Sequence, residues 1–230
     1  MNLNIISGGA AQGLVTKLET SLKEKERIGT SGSFGAVGAM RDKLLAGEPC
    51  DLIILTDALI SELAKAGHVI ADTCAPLGKI ATGVAVLDSS PLPDIGGATA
   101  LRTLFSGASA LYFPDPERAT AGIHFAKVLR GLGIYDAVQE RLRPFPNGAT
   151  AMREMAKAAD PRAVGCTQVT EILFTPGVKL VGPLPKEFEL NTVYTVAVTA
   201  NAKLPDQARR FAMMLTSPAN AKLRVECGIA

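Results

Sequence analysis

Residues 51–57 read Asp51-Leu52-Ile53-Ile54-Leu55-Thr56-Asp57. Four consecutive apolar residues point to a strand covered on both faces, because a half-exposed strand alternates. Thr56-Asp57 supplies N-cap chemistry for a helix that reaches Ala66, and Gly67 ends that helix. The same step precedes it twice. Leu3 to Ile6 is an apolar run that breaks at Ser7-Gly8-Gly9, before a helical pattern from Gln12 to Lys25 carrying Leu14, Val15, Leu18 and Leu22. A short strand at 27–30 runs into Ser31-Gly32-Ser33, and a helix carrying Val37, Met40, Leu44 and Leu45 is expected over 34–46. Three strand–polar loop–helix steps predict a mostly parallel α/β sheet.

The middle of the chain repeats the scheme. Strands are expected at 80–87, 110–113, 141–145, 163–167 and 179–181. Helices are expected at 99–105, at 121–132 before Gly133, and from the Asn147-Gly148-Ala149-Thr150 loop to Ala158. The tail offers a long strand at 193–199 and helices at 206–215 and 220–227.

In parallel sheets ligands gather at the carboxyl ends of the strands. Here Ser7-Gly8-Gly9, Ser31-Gly32-Ser33 and Thr56 stand at three such ends. All are small or hydroxyl-bearing and each precedes a helix, whose unpaired N–H groups and positive dipole end suit an anion.

Composition narrows the partners. Lys plus Arg number 24 and Asp plus Glu 22, a formal charge of +2, without the basic excess of a nucleic-acid binder. Trp is absent and aromatics are 5%, which argues against stacking platforms. No apolar stretch approaches the length needed to span a membrane, so no membrane insertion is expected. The N-terminus Met1-Asn2-Leu3-Asn4 has neither a basic segment nor a leader-like apolar run. The sequence as it stands therefore reads as cytoplasmic, or as periplasmic if a signal has been removed. Cys50, Cys74, Cys166 and Cys227 lack metal-ligand spacing, and His68 and His124 are too few for a typical catalytic zinc site. Buried free thiols and no metal or cofactor are expected.

Several short stretches, in order along the chain, resemble the molybdate-binding-protein branch of the type II periplasmic solute-binding proteins, the receptors of ABC transporters. These are Ser7-Gly8-Gly9, Thr30-Ser31-Gly32-Ser33, Ala46-Gly47-Glu48-Pro49-Cys50-Asp51 and Gly83-Val84-Ala85-Val86. Asp115-Pro116, Ala119-Thr120-Ala121-Gly122, Gly182-Pro183-Leu184-Pro185 and Leu215-Thr216-Ser217-Pro218 follow. The resemblance implies two α/β lobes, residues 1–82 with 192–230 and residues 83–191, with a ligand cleft between them that closes by hinge motion.

It also implies how an anion is held: by hydroxyls and backbone amides, without a cation. Carried over by motif, Ser7 and Ser31 or Ser33 donate hydroxyls in the first lobe, with Gly8, Gly9, Gly32 and Thr56 beside them. Thr120 and Ala121 offer amides in the second, as do Asn147 and Gly148, with Arg118 adjacent as a possible carboxylate partner. One position departs: where molybdate-binding proteins place a Tyr hydroxyl, this chain has Gln168, which donates and accepts and suits a carboxylate as well as an oxyanion.

The leading expectation is a binding protein for a small anion, either a tetrahedral oxyanion or a short di- or tricarboxylate, with an ABC permease as partner if the protein is exported. The alternative is an enzyme resembling aconitate isomerase, which moves a double bond in an unsaturated tricarboxylate. That chemistry needs a proton shuttle beside a carboxylate clamp. Glu171, His124 and Asp115 are the residues available for it. A third class, a ligand sensor acting through another protein, requires a partner outside this sequence.

Overall fold

A computed structural model describes residues 2–230, apart from the side chain of Glu26. The first part of the chain forms β1 (Asn2–Gly8), α1 (Gln12–Glu26), β2 (Gly29–Gly35), α2 (Val37–Leu45), β3 (Leu52–Thr56) and α3 (Asp57–Lys65). The middle forms β4 (Ala75–Leu87), α4 (Ala98–Gly107), β5 (Leu111–Pro114), α5 (Thr120–Gly131), α6 (Tyr135–Val138), β6 (Leu142–Phe145), α7 (Gly148–Ala158), β7 (Val164–Gln168), α8 (Val169–Phe174) and β8 (Val178–Pro183). The tail adds β9 (Asn191–Val198), α9 (Pro205–Thr216) and α10 (Ala221–Glu226). These elements divide into two compact units, the residues up to Ile80 with Thr192–Ala230, and Ala81–Asn191.

In the first unit the strand order is β2-β1-β3-β9, with β1 parallel to both β2 and β3 and β9 antiparallel to β3. All five residues of β3 are buried, as its unbroken apolar run requires. Asp51 anchors its start. The buried carboxylate accepts from the backbone N–H groups of Asn4 at 2.8 Å, Lys203 at 2.7 Å and Leu204 at 3.0 Å, tying β1 and the entry of α9 to one point. Helix α3 ends at Gly67, whose φ of +75° is the left-handed conformation glycine adopts without strain.

The second unit has β6-β5-β7 parallel, then β4 antiparallel to β7 and β8 antiparallel to β4. Its strands alternate faces with period two. Val84, Leu111, Phe113, Val164 and Cys166 pack with Phe125, Val128 and Leu129 of α5. Ala85, Leu87, Ala110, Tyr112 and Ala163 pack with Met152 and Met155 of α7 on the other face. A Cβ on Gly165 would meet Met152 Cε at 2.5 Å, which keeps the odd positions of β7 on the α7 side.

The mostly parallel α/β class is as expected, and so are most elements. One boundary differs in a way that bears on function. Ser31, Gly32 and Ser33 do not form the loop before the second helix. They lie inside β2, which pairs with β1 through Gly35, and α2 starts only at Val37 after Ala36. A glycine-rich edge strand has no apolar alternation to announce it. The four cysteines are free thiols, three buried and Cys74 half-buried. Burial pushes Cys50 up to about 12 and raises the other three.

Candidate functional site

Each unit has one strand edge where loops open into helices. In the first unit this edge holds Ser7, Gly8 and Gly9 at the end of β1, Gly35 at the end of β2 and Thr56 at the end of β3. Ser7 is fully buried and its hydroxyl donates to the Gly8 carbonyl at 2.9 Å. Gly8 is there because two side chains close over it: an added Cβ would meet Tyr194 Cε1 and Val37 Cγ1 at 2.8 Å each. Tyr194, buried on β9 opposite Thr56, was not among the expected site residues. Its position follows from β9 running antiparallel to β3, which carries the start of β9 to the C-terminal end of β3.

Ser31 and Ser33 stand apart from this group. Ser31 pairs with Asn4 and Ser33 with Ile6, whereas the partner of Ser7 is Phe34. By strand alternation both serines project to the face opposite Ser7. Ser31 is exposed on the edge strand, roughly 13 Å of strand short of Gly35.

In the second unit the C-terminal ends of β5, β6 and β7 share an edge, joined by the Thr82 end of β4, whose register partner is Gln168. Two long helices start there. Helix α7 has Asn147 as N-cap, and its side-chain oxygen accepts from Thr150 N–H at 2.8 Å. The remaining amides of that turn are taken by Glu171. Its carboxylate accepts from the backbone N–H groups of Gly148 and Ala149, from the N–H of Gln168 at the start of its own helix, and from Thr167 Oγ1 at 2.6 Å. An added Cβ on Gly148 would lie on Thr167 Oγ1 and Glu171 Oε2, so only glycine admits the carboxylate. Burial raises the Glu171 carboxyl above the ordinary carboxylate range, and these hydrogen bonds oppose the rise.

Helix α5 starts on the other face of the same edge. Its N-cap is Ala119, which supplies no side-chain cap, so the first-turn amides of Thr120 and Ala121 have neither an intrahelical acceptor nor a capping one. Gly122 lets this turn press onto the end of β5, where an added Cβ would meet the carbonyl oxygens of Pro114 and Asp115 at 2.2 Å. By alternation with Val84 and Cys166, Thr82 and Gln168 face the α5 side. Among the described residues both polar atoms of the Gln168 side chain, Thr82 Oγ1 and Thr170 Oγ1 are buried without a hydrogen-bond partner. Each such group costs about 1–3 kcal/mol unless something outside the protein satisfies it.

The other residues read as catalytic or binding candidates are engaged in the fold. Asp115 Oδ1 accepts from the N–H groups of Glu117 at 2.7 Å and Arg118 at 3.1 Å, closing the turn before α5. His124 Nε2 lies 2.7 Å from the Phe188 carbonyl. Arg118 is exposed on that same turn. Among the described residues no group of three or more His, Cys, Asp or Glu could hold a metal ion, and no helix is long and apolar enough to cross a membrane.

Comparison with known proteins bears on this geometry. A family model described as bacterial extracellular solute-binding protein matches residues 3–228. An aconitate isomerase from a Pseudomonas species is 24% identical over 236 residues, covering 99% of this chain and 87% of that protein. The periplasmic molybdate-binding protein of Azotobacter vinelandii superposes with a TM-score of 0.81 at 16% identity, over 100% of this chain and 99% of that one. The sulfate-binding protein SubI of Mycobacterium tuberculosis does so with a TM-score of 0.75 at 18% identity, over 100% of this chain and 86% of that one. The structural neighbours are two-lobed periplasmic binding proteins, and at these identities the likeness is one of fold.

Proposed function

This chain belongs to the bacterial extracellular solute-binding proteins, and from that premise we propose that it binds a small anion through helix amides and uncharged polar side chains. One observation carries the reading: the buried, unpartnered amide of Gln168 stands on the α5 side of a strand edge, with Thr82 and Thr170 equally unpartnered near it. In a protein interior polar groups are paired, and a cluster of exceptions beside an uncapped helix start is what a site shaped around an absent partner looks like. Thr120 and Ala121 supply amides to the anion, and Gln168 orients it. The first unit has a polar group of its own at one strand edge, where Ser7 and Thr56 carry hydroxyls beside Gly8 and Gly9. The near-zero net charge is compatible with this, because such a site uses dipoles instead of Lys and Arg.

The family's extracellular designation favours the periplasmic of the two placements, and there an ABC permease is the partner to which the loaded protein delivers its ligand. The test is a thermal-shift and calorimetric panel of molybdate, tungstate, sulfate, phosphate and di- and tricarboxylates. A ligand present at 100 times its dissociation constant stabilises the fold by about 2.7 kcal/mol. Absence of any shift across the panel sinks the proposal.

A second reading, an isomerase acting on an unsaturated tricarboxylate, is favoured by the full-length likeness to aconitate isomerase. Of the three shuttle candidates, Glu171 is the one whose raised carboxyl brings a proton nearer to neutral pH. Incubation with cis- and trans-aconitate followed by chromatography decides it: interconversion supports the enzyme, and unchanged isomers reject it.

A further inference from the structure

The unpartnered atoms of the second unit also bear on what kind of anion fits. The Gln168 side chain ends in two N–H donors and one carbonyl acceptor, and both the nitrogen and the oxygen are buried without partners. Thr82 stands directly opposite Gln168 in the strand register, and Thr170 lies two residues beyond it, yet neither hydroxyl reaches the Gln168 oxygen. The carbonyl end of Gln168 therefore needs a donor from outside the protein.

A fully deprotonated tetrahedral oxyanion such as molybdate or sulfate has only acceptor oxygens. It satisfies the Thr120 and Ala121 amides, the Gln168 N–H groups and the threonine hydroxyls, but it leaves the Gln168 oxygen buried and unpaired. A simple carboxylate does the same. A hydroxyl both accepts and donates, and placed beside an anionic group it answers every orphaned atom on this face.

We infer that the ligand is a small hydroxy acid, its carboxylate on the α5 amides and its hydroxyl on the Gln168 side chain. This rests on the reading of the α5 edge as the anion site. Helix α7 plays no part in it, because the Glu171 carboxylate already takes its first-turn amides.

Matched acids that differ by one hydroxyl test the inference. Isothermal calorimetry on the intact chain compares malate with succinate and citrate with tricarballylate, alongside molybdate and sulfate. The hydroxylated member of at least one pair is expected to bind 10-fold or more tighter than its partner and tighter than either oxyanion. Gln168→Met, which keeps the length and removes both polar atoms, is expected to level that pair to within about twofold, on the scale set by a site built to pair a ligand hydroxyl. Its melting temperature should be no lower than that of the parent, which separates a ligand contact from a structural one.

Equal affinities within both pairs, or tighter binding of molybdate or sulfate, overturn the hydroxyl inference and leave anion binding standing. A hydroxyl preference that survives Gln168→Met overturns the assignment to Gln168. Failure of all six anions to bind overturns the inference and the anion reading with it.

Discussion

Helices α5 and α7 start at the same strand edge of the second unit and meet opposite fates. Both present first-turn amides without intrahelical acceptors. At α7 a carboxylate from the chain itself, Glu171, fills the place, and Gly148 has no side chain to keep it out. At α5 the N-cap residue Ala119 supplies no side-chain cap, and among the described residues Gln168, Thr82 and Thr170 carry buried polar atoms without partners. The same physics thus serves as an internal joint on one face and, on the reading proposed above, as the anion site on the other. What separates them is the parity of two neighbouring residues of β7. Thr167 turns to α7 and completes the joint, whereas Gln168 turns to α5.

Breaking the joint should have the largest effect. Glu171→Leu leaves the amides of Gly148, Ala149 and Gln168 and the Thr167 hydroxyl without their acceptor, at about 1–3 kcal/mol each when buried. A loss of at least about 3 kcal/mol is expected in urea unfolding. Gln168→Met should lose nothing and gain up to about 1 kcal/mol, because it removes an unpaired buried group. Losses of equal size in the two variants would mean that both faces are structural. Gly148→Ala comes next. Its methyl group overlaps the Glu171 carboxylate, and about 1–3 kcal/mol of overpacking is expected by the same measurement.

The joint should also show in pH dependence. Burial raises the Glu171 carboxyl on folding, so just above the ordinary carboxylate range the folded protein binds more protons than the unfolded one. Its contribution to stability is then fully present below the unfolded value of 4.5 and falls as pH rises toward the folded value. The slope in that window approaches about 1.4 kcal/mol per pH unit for one group. Urea unfolding between pH 4 and 8 should show this slope in the parent and its loss in Glu171→Gln. A slope of the opposite sign, removed by the same substitution, would mean that the four hydrogen bonds outweigh burial.

Much of the fold was legible because it rests on local periodicity. The run Leu52–Leu55 and the helix ending at Gly67 carry their signals within a few residues of themselves. The first-unit strand edge was only half legible. Ser31 and Ser33 resemble a helix-opening loop, but a strand made of glycine and serine pairs through its backbone and leaves no pattern to read. Tyr194 becomes part of the Ser7 edge only through antiparallel pairing with β3, a contact that spans most of the chain. In the second unit Gln168 stands out in the sequence only as a departure from a resemblance. Its isolation, and the capture of the α7 amides by a glutamate 23 residues after Gly148, depend on which face each side chain takes once the sheet has formed.

The comparison between edges can be sharpened with two serines that the sequence alone treats as equals. Ser7 and Ser31 both stand in small, hydroxyl-bearing stretches, but register sets them on opposite faces of the first sheet. Ser7 is fully buried at the strand end beside Gly8, and its hydroxyl has only a carbonyl of the next residue as partner. Rotation about Cβ–Oγ frees that proton for an anion at modest cost, so Ser7→Ala should weaken ligand binding about 10-fold, the size of one hydrogen bond to a charged group. Ser31 is exposed in mid-strand and remote from that end. Ser31→Ala should change affinity by less than about twofold and stability by less than about 0.5 kcal/mol, as for surface positions in general. Calorimetry with the tightest anion found for the parent measures both. An equal loss at Ser31 would mean that the ligand lies along β2 and not at the end of β1, and it would move the first-unit contacts to the face that Ser33 shares.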